Sequence, residues 1–124
     1  MISGIGVDLC DINRIRKAVA RPGFKEKVFS KEEIKYAENS NDSAKHYAAA
    51  FASREAIAKA TGWGLFKQGI CACSIIRTEN GPHFVFNSEF QKKLKMEKIK
   101  NVFLSISHES GLAIAMVVLE KENV

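Results

Sequence analysis

The sequence predicts an α/β (α+β) protein in which a small, mainly antiparallel sheet packs against one long helix. An alanine-rich segment at 42–61, followed by a glycine, is typical of a long helix. An alternating segment at 2–8 predicts a strand near the N-terminus. Two apolar segments at 101–108 and 112–119 predict a closing hairpin. The length of 124 residues fits a single domain over 1–124.

The first strand has one face almost without side chains. Ile5 and Val7 point to one side, and Gly4, Gly6 and Asp8 point to the other. Glycine inside a strand indicates that another backbone or a ligand approaches closely. We therefore expect a close neighbour on the glycine face.

Two shorter helices are predicted before the long one. At 12–21, isoleucine and valine recur with helical spacing. At 31–39, Ser30 and Glu33 have the spacing of a capping box, which fixes the start of that helix.

The second half begins with a predicted hairpin and a lysine-rich helix. Strands are expected at about 70–77 and 83–87, around an Asn80-Gly81 turn. A helix is expected at 88–98.

Composition excludes several classes of protein. With 46% hydrophobic and 27% charged residues, the chain is neither disordered nor of low complexity. It lacks the roughly 20 consecutive apolar residues of a membrane span, and its N-terminus lacks the basic region of a signal peptide. We therefore expect a cytoplasmic protein with no membrane partner. Cys10, Cys71 and Cys73 are expected to be small core residues, not a disulfide or zinc site.

The chain carries a net charge of +5 and a sequence pI of about 9.2. This balance indicates an anionic partner, which could be a nucleic acid, a phosphorylated small molecule or an acidic protein. Arg14, Lys17 and Arg21 share one face of the 12–21 helix. That face is either solvated surface or a docking site for acidic groups.

Two carboxylates stand in unusual places. Glu55 falls within the apolar stripe of the long helix, where a carboxylate is costly to bury without a partner. It forms either an ion pair with Lys59, four residues on, or part of a site. Asp8 ends the glycine-faced strand and either caps the next turn or joins Glu55 as a ligand for Mg²⁺.

Lys59 and the Gly62-Trp63-Gly64 segment follow at the end of the same helix. They suit phosphate capture, although a lysine and a glycine at a helix C-terminus also have ordinary structural roles.

Ser107 and His108 end a strand before a turn. A histidine there is a candidate for proton transfer or phosphate binding, or else a polar residue of the hairpin end. His46 and His83 have no evident partner and are expected to be structural.

Three segments together closely resemble the holo-acyl-carrier-protein synthase family, the small bacterial 4′-phosphopantetheinyl transferases. They are GIGVDLCDINRI at 4–15, FASREAIAKATGWG at 51–64 and SISHESGLAIAMVV at 105–118. The resemblance covers essentially the whole chain and implies the fold of that family.

The resemblance also implies an activity: Mg²⁺-dependent transfer of 4′-phosphopantetheine from coenzyme A to a serine of acyl carrier protein, with release of adenosine 3′,5′-bisphosphate. It implies that the family is typically trimeric, with each active site between neighbouring subunits. Either a water held by the metal or the carboxylates, or His108, would take the serine proton. The residue roles that it implies are metal binding by Asp8 and Glu55, coenzyme A contact by Lys59, Gly62, Trp63, Gly64, Ser107 and His108, and carrier-protein docking by Arg14, Lys17 and Arg21.

Three positions depart from the family pattern. Ala50 stands where an arginine is common, and Arg54 stands where a lysine is usual. Gly81-Pro82-His83 lacks the usual lysine. A small basic nucleic-acid-binding module is the alternative function, although no aromatic or glycine-rich nucleic-acid motif is evident.

Overall fold

A computed structural model describes residues 1–64 and 72–123. Strands β1, β5 and β4 form an antiparallel sheet in that order, and β2 and β3 form a separate antiparallel hairpin. This architecture confirms the predicted fold class. The elements are β1 (Ile2–Asp11), α1 (Ile12–Val19), α2 (Phe24–Val28), α3 (Lys31–Glu38), α4 (Ser43–Thr61), β2 (Cys73–Thr78), β3 (Gly81–Phe86), α5 (Ser88–Met96), β4 (Ile99–Glu109) and β5 (Leu112–Lys121).

The glycine face of β1 lies directly against the backbone of α4. A methyl group on Gly6 would collide with the carbonyl oxygen of Ala56, and one on Gly4 would collide with that of Ala60. The predicted close approach is therefore confirmed, and its partner is the long helix. Asp8 does not end the strand, as the sequence predicted, because β1 continues to Asp11, which caps α1.

The two faces of the three-stranded sheet differ in burial. On the helix side, β5 contributes Ala113, Ala115 and Val117, all with 0% exposure. The opposite face carries large apolar side chains that are about half exposed. They are Ile5, Val7, Leu9, Phe103 and Met116.

The predicted helix boundaries are close to the observed ones. The capping box is confirmed: Ser30 N donates to Glu33 Oε1 at 2.9 Å, and Glu33 N donates to Ser30 Oγ at 3.2 Å. The long helix ends at Gly62, whose φ of 77° is the left-handed conformation that glycine favours. The first helix ends earlier than predicted, at Val19, and a short second helix, α2, was not predicted.

The central hairpin was predicted close to its observed position. It turns at residues 79–80, and its register pairs Ile76 with His83. Cys73 is buried, as expected, whereas Cys71 lies outside the described residues. Within the described residues, no helix has both the length and the apolarity needed to span a membrane.

Candidate active site

The close packing of β1 on α4 brings Asp8 and Glu55 together. Asp8 pairs across the sheet with Ala115, so its side chain lies on the helix-facing side, two residues beyond Gly6. Glu55 is half-buried next to Ala56 on α4. Burial raises the pKa of Glu55, the negative charge of Asp8 raises it further, and Lys59 opposes both effects. Two acids from distant segments thus share one electrostatic site.

Lys59 is the counter-ion of this site, and its partner is Asp8. Its Nζ donates to Asp8 Oδ1 at 2.9 Å and to the carbonyl oxygen of Val7 at 3.1 Å. Among the ion pairs of the described residues, Glu55 has none with Lys59. The i,i+4 pair that the sequence left open is therefore not formed.

The donors present suit a hard cation. Asp8 and Glu55 offer carboxylate oxygens, and Mg²⁺ is commonly held by one or two carboxylates together with water and phosphate oxygens. Over residues 1–64 and 72–123 there is no group of three or more His, Cys, Asp or Glu side chains that could enclose a metal. Any remaining coordination positions would therefore fall to water or to a substrate.

Cys10 lies beside the two carboxylates. Burial, followed by the charge of Asp8, raises the pKa of its thiol to about 11. The thiol is therefore neutral at pH 7 and a poor metal ligand, which fits the expectation of a packing residue.

Trp63 is held by an aromatic cluster. Its ring lies 5.2 Å from that of Phe90, edge to face, and Lys93 Nζ lies 4.7 Å from its centre. The Trp63 backbone N–H donates to Thr61 Oγ1 at 3.1 Å. These contacts fix the 62–64 segment at the C-terminal end of α4, just beyond Lys59.

Within one chain, His108 lies at the other end of α4. Burial lowers its pKa, with a further lowering by Lys45 and Arg77, and a hydrogen bond with the Lys45 backbone opposes this. Lys45 precedes Glu55 by ten residues, which is about 15 Å along the helix axis. One chain alone therefore does not bring His108 to the carboxylates.

His108 lies among basic side chains. His46 lies close enough for the charges of Arg77, Lys45 and His108 to lower its pKa, after the larger effect of burial. His46 Nδ1 and His108 Nε2 are buried and have no hydrogen-bond partner among residues 1–64 and 72–123. His46 was predicted from the sequence to be structural, and Lys45 and Arg77 were not identified as candidates. Only the fold brings these three residues close to His108.

Ser107 lies on the opposite sheet face from His108. It pairs with Ile114 and is exposed. Since successive residues of a strand point to opposite faces, the two neighbours cannot both face α4.

Arg14 on α1 and Arg21, which follows the end of α1 and is not on the helix as predicted, border an apolar groove. Arg14 and Lys17 are exposed, and the guanidinium of Arg21 lies 5.3 Å from the centre of the Phe24 ring. The groove has a volume of about 390 Å³. Its lining includes Leu9, Cys10, Arg14, Ile15, Arg21, Phe24, Val28 and Phe51.

Comparisons with known proteins identify the family. Residues 4–117 match the model of the 4′-phosphopantetheinyl transferase superfamily. A holo-[acyl-carrier-protein] synthase from Fusobacterium nucleatum is 34% identical over 121 residues, covering 96% of this chain and 99% of the relative. One from Clostridium tetani is 38% identical over 124 residues, covering 98% of each.

Solved structures agree. The holo-[acyl-carrier-protein] synthase from Neisseria meningitidis has a TM-score of 0.88 at 31% identity, covering 98% of this chain and 100% of that one. The enzyme from Bacillus anthracis in complex with CoA (3′,5′-ADP) has a TM-score of 0.80 at 30% identity, covering 98% and 99%. The chain belongs to the 4′-phosphopantetheinyl transferase superfamily.

Proposed function

We propose that this protein is a holo-[acyl-carrier-protein] synthase, which transfers 4′-phosphopantetheine from coenzyme A to a serine of apo acyl carrier protein. Adenosine 3′,5′-bisphosphate is the second product. One observation carries the proposal beyond family membership: Asp8 and Glu55 lie together beside Lys59. Two carboxylates can bind a cation and a neighbouring lysine can bind a phosphate, so the three residues suit a pyrophosphate with its counter-cation. The relatives give no support to the alternative of a nucleic-acid-binding module.

Asp8 and Glu55 would hold Mg²⁺ jointly, since both are hard oxygen donors on facing elements. When bound, the metal supplies positive charge that neutralises the pyrophosphate oxygens. The chain's own part is positioning, because phosphoryl transfer depends mainly on orientation and charge stabilisation.

Lys59 and the 62–64 segment would position coenzyme A. The half-exposed Lys59 ammonium can reach a phosphate, since it sits on a flexible side chain at the end of α4. Gly62 and Gly64 leave the adjoining backbone accessible, and Trp63 anchors it to α5. The carrier-protein serine must lose its proton, and we assign this step to a water held by the carboxylates.

The site would be completed in a homotrimer. The face bearing Ile5, Val7, Leu9, Phe103 and Met116 is a contiguous apolar surface, and such surfaces mark interfaces. A neighbouring subunit could bring its His108, with Lys45 and Arg77, to the phosphates of coenzyme A bound at Asp8 and Glu55. Ser107, exposed on the apolar face, would then lie at or near the interface. Sedimentation equilibrium should show a trimer at assay concentrations, and an active monomer would exclude this arrangement.

The groove beside α1 would receive the carrier protein. Its apolar lining can bury apolar side chains, while Arg14, Lys17 and Arg21 present positive charge to an acidic partner. The docking surface and the carboxylate site adjoin through Cys10, which lines the groove and lies two residues from Asp8. A serine of a docked carrier protein would therefore lie near the pyrophosphate. Such a protein would act in the cytoplasm, in fatty acid biosynthesis.

The test uses purified protein with coenzyme A, Mg²⁺ and apo acyl carrier protein. Intact-mass measurement should show the carrier protein gaining one 4′-phosphopantetheine group, and chromatography should show adenosine 3′,5′-bisphosphate in equal amount. A carrier protein whose serine is replaced by alanine is the control. No mass gain with a folded enzyme would refute the proposal.

A further inference from the structure

The Lys59 ammonium is bound to one oxygen of Asp8, the carboxylate that we propose as a metal ligand. It lies 2.9 Å from Asp8 Oδ1, and a second hydrogen bond to the Val7 carbonyl holds it there. Glu55, one helical turn before Lys59, was the other available partner. The fold has therefore placed the lysine on the strand acid and left the helix acid without an ion pair in the described part of the chain.

We propose that Lys59 is an exchangeable counter-ion that couples the binding of a divalent cation to the binding of the phosphate-bearing co-substrate. The ammonium leaves Asp8 when a divalent cation binds there, because the two cations compete for one carboxylate. Once displaced, it binds a phosphate of the co-substrate. This inference rests on the proposed function, which assigns the metal to Asp8 and Glu55.

Movement of the Lys59 ammonium from Asp8 to a phosphate makes the coupling between the two ligands positive. Without an anion, a displaced ammonium lies close to a doubly charged cation with no partner, so the cation alone binds weakly. With a pyrophosphate present, the ammonium gains a new partner as it loses the old one. Each ligand then raises the affinity of the other by the same factor, as linkage requires.

The exposures of the two side chains permit this exchange. The Lys59 side chain is 56% exposed, so it can swing without disturbing the core, whereas Asp8 is 18% exposed and held by β1. The moving part is therefore the lysine, and the acids stay in place. The divalent cation and the phosphate-bearing co-substrate are therefore expected to bind together.

The test measures metal binding without turnover. Mn²⁺, which suits carboxylate ligands, is titrated with and without coenzyme A, and free Mn²⁺ is counted by electron paramagnetic resonance. Wild type, Lys59→Met and Glu55→Gln are compared, and Lys31→Met on exposed α3 surface controls for the lost charge. Titrations without protein correct for Mn²⁺ bound by coenzyme A itself.

We expect Lys59→Met to bind Mn²⁺ alone more tightly than wild type and Lys31→Met do. We expect coenzyme A to tighten Mn²⁺ binding about fivefold or more in wild type and much less in Lys59→Met. Equal or weaker Mn²⁺ binding by Lys59→Met would overturn the counter-ion role, and an undiminished effect of coenzyme A would overturn the coupling. If Glu55→Gln binds Mn²⁺ as well as wild type, the metal assignment of the proposed function fails instead.

Discussion

Arg54 on α4 and Glu33 on α3 form an ion pair in the protein interior, where their side chains are 1% and 3% exposed. Arg54 Nε also donates to the carbonyl oxygen of Cys73 at 3.0 Å, and Glu33 Oε2 accepts from Ile75 N at 2.9 Å. The pair thus ties both helices to β2. Arg54 stands where the family resemblance predicts a lysine, and here it is a structural residue next to Glu55, the proposed metal ligand.

Replacing Arg54 with alanine should cost about 3–5 kcal/mol of unfolding free energy, because it leaves the Glu33 carboxylate buried without its partner. Urea denaturation measures this. Arg16→Ala is the control, since Arg16 forms an exposed ion pair with Asp42 that should contribute about 1 kcal/mol or less. The double variant Glu33→Gln/Arg54→Met should be more stable than Arg54→Ala, and a double variant that is less stable would contradict the buried-charge explanation.

Gly6→Ala should destabilise the protein by about 1–3 kcal/mol or more, because the added methyl meets backbone atoms of α4 that cannot move independently. Thermal unfolding measures this loss of stability. Ser3→Ala, at an exposed position of the same strand, should change little. Similar unfolding temperatures for the two variants would mean that β1 and α4 are less tightly packed.

Glu55→Gln should slightly stabilise the metal-free protein at neutral pH, by at most a few degrees in Tm. The folded protein raises the pKa of Glu55, so its contribution to stability is greatest when it is protonated and declines as the pH rises through the raised pKa. Glutamine mimics the protonated form. The gain should therefore be larger at pH 8 than at pH 4. Calorimetry in the presence of a chelator measures it, and a larger gain at pH 4 would contradict the prediction.

Arg14→Glu should raise the KM for acyl carrier protein severalfold or more and leave the KM for coenzyme A nearly unchanged. Charge on this exposed face acts on association, and salt screens it because the Debye length is about 8 Å at physiological ionic strength. Added salt should slow wild type and narrow its difference from the variant. Lys92→Glu, on the exposed surface of α5, is the control. A change confined to coenzyme A binding would assign this face to the nucleotide site.

The features predicted best from the sequence are those that depend only on residues close together in the chain. The Ser30–Glu33 capping box and the end of α4 at Gly62 are local, and both were predicted correctly. The glycine face of β1 indicated a close neighbour, although only the structure identifies it as α4. From the residues alone, a shared Asp8–Glu55 site was only one of two alternatives, because the two acids lie far apart in the sequence.

Long-range pairings were missed for a physical reason. Glu33 was interpreted only as a capping residue, yet its carboxylate also binds Arg54 and the Ile75 backbone. Lys59 had an apparent partner four residues away in Glu55, and the fold offered it Asp8 instead. The sequence shows which partners a side chain can reach along its own helix. It does not show which side chains of other elements the fold brings closer.

The most direct test is the rate of phosphopantetheine transfer by Asp8→Ala and Glu55→Ala at ordinary Mg²⁺ concentrations. The intact mass of the carrier protein is followed over time, and circular dichroism verifies that both variants are folded. Each variant should leave the carrier protein unmodified while wild type converts it fully. Normal turnover by a folded Glu55→Ala protein would contradict a transferase centred on these two carboxylates.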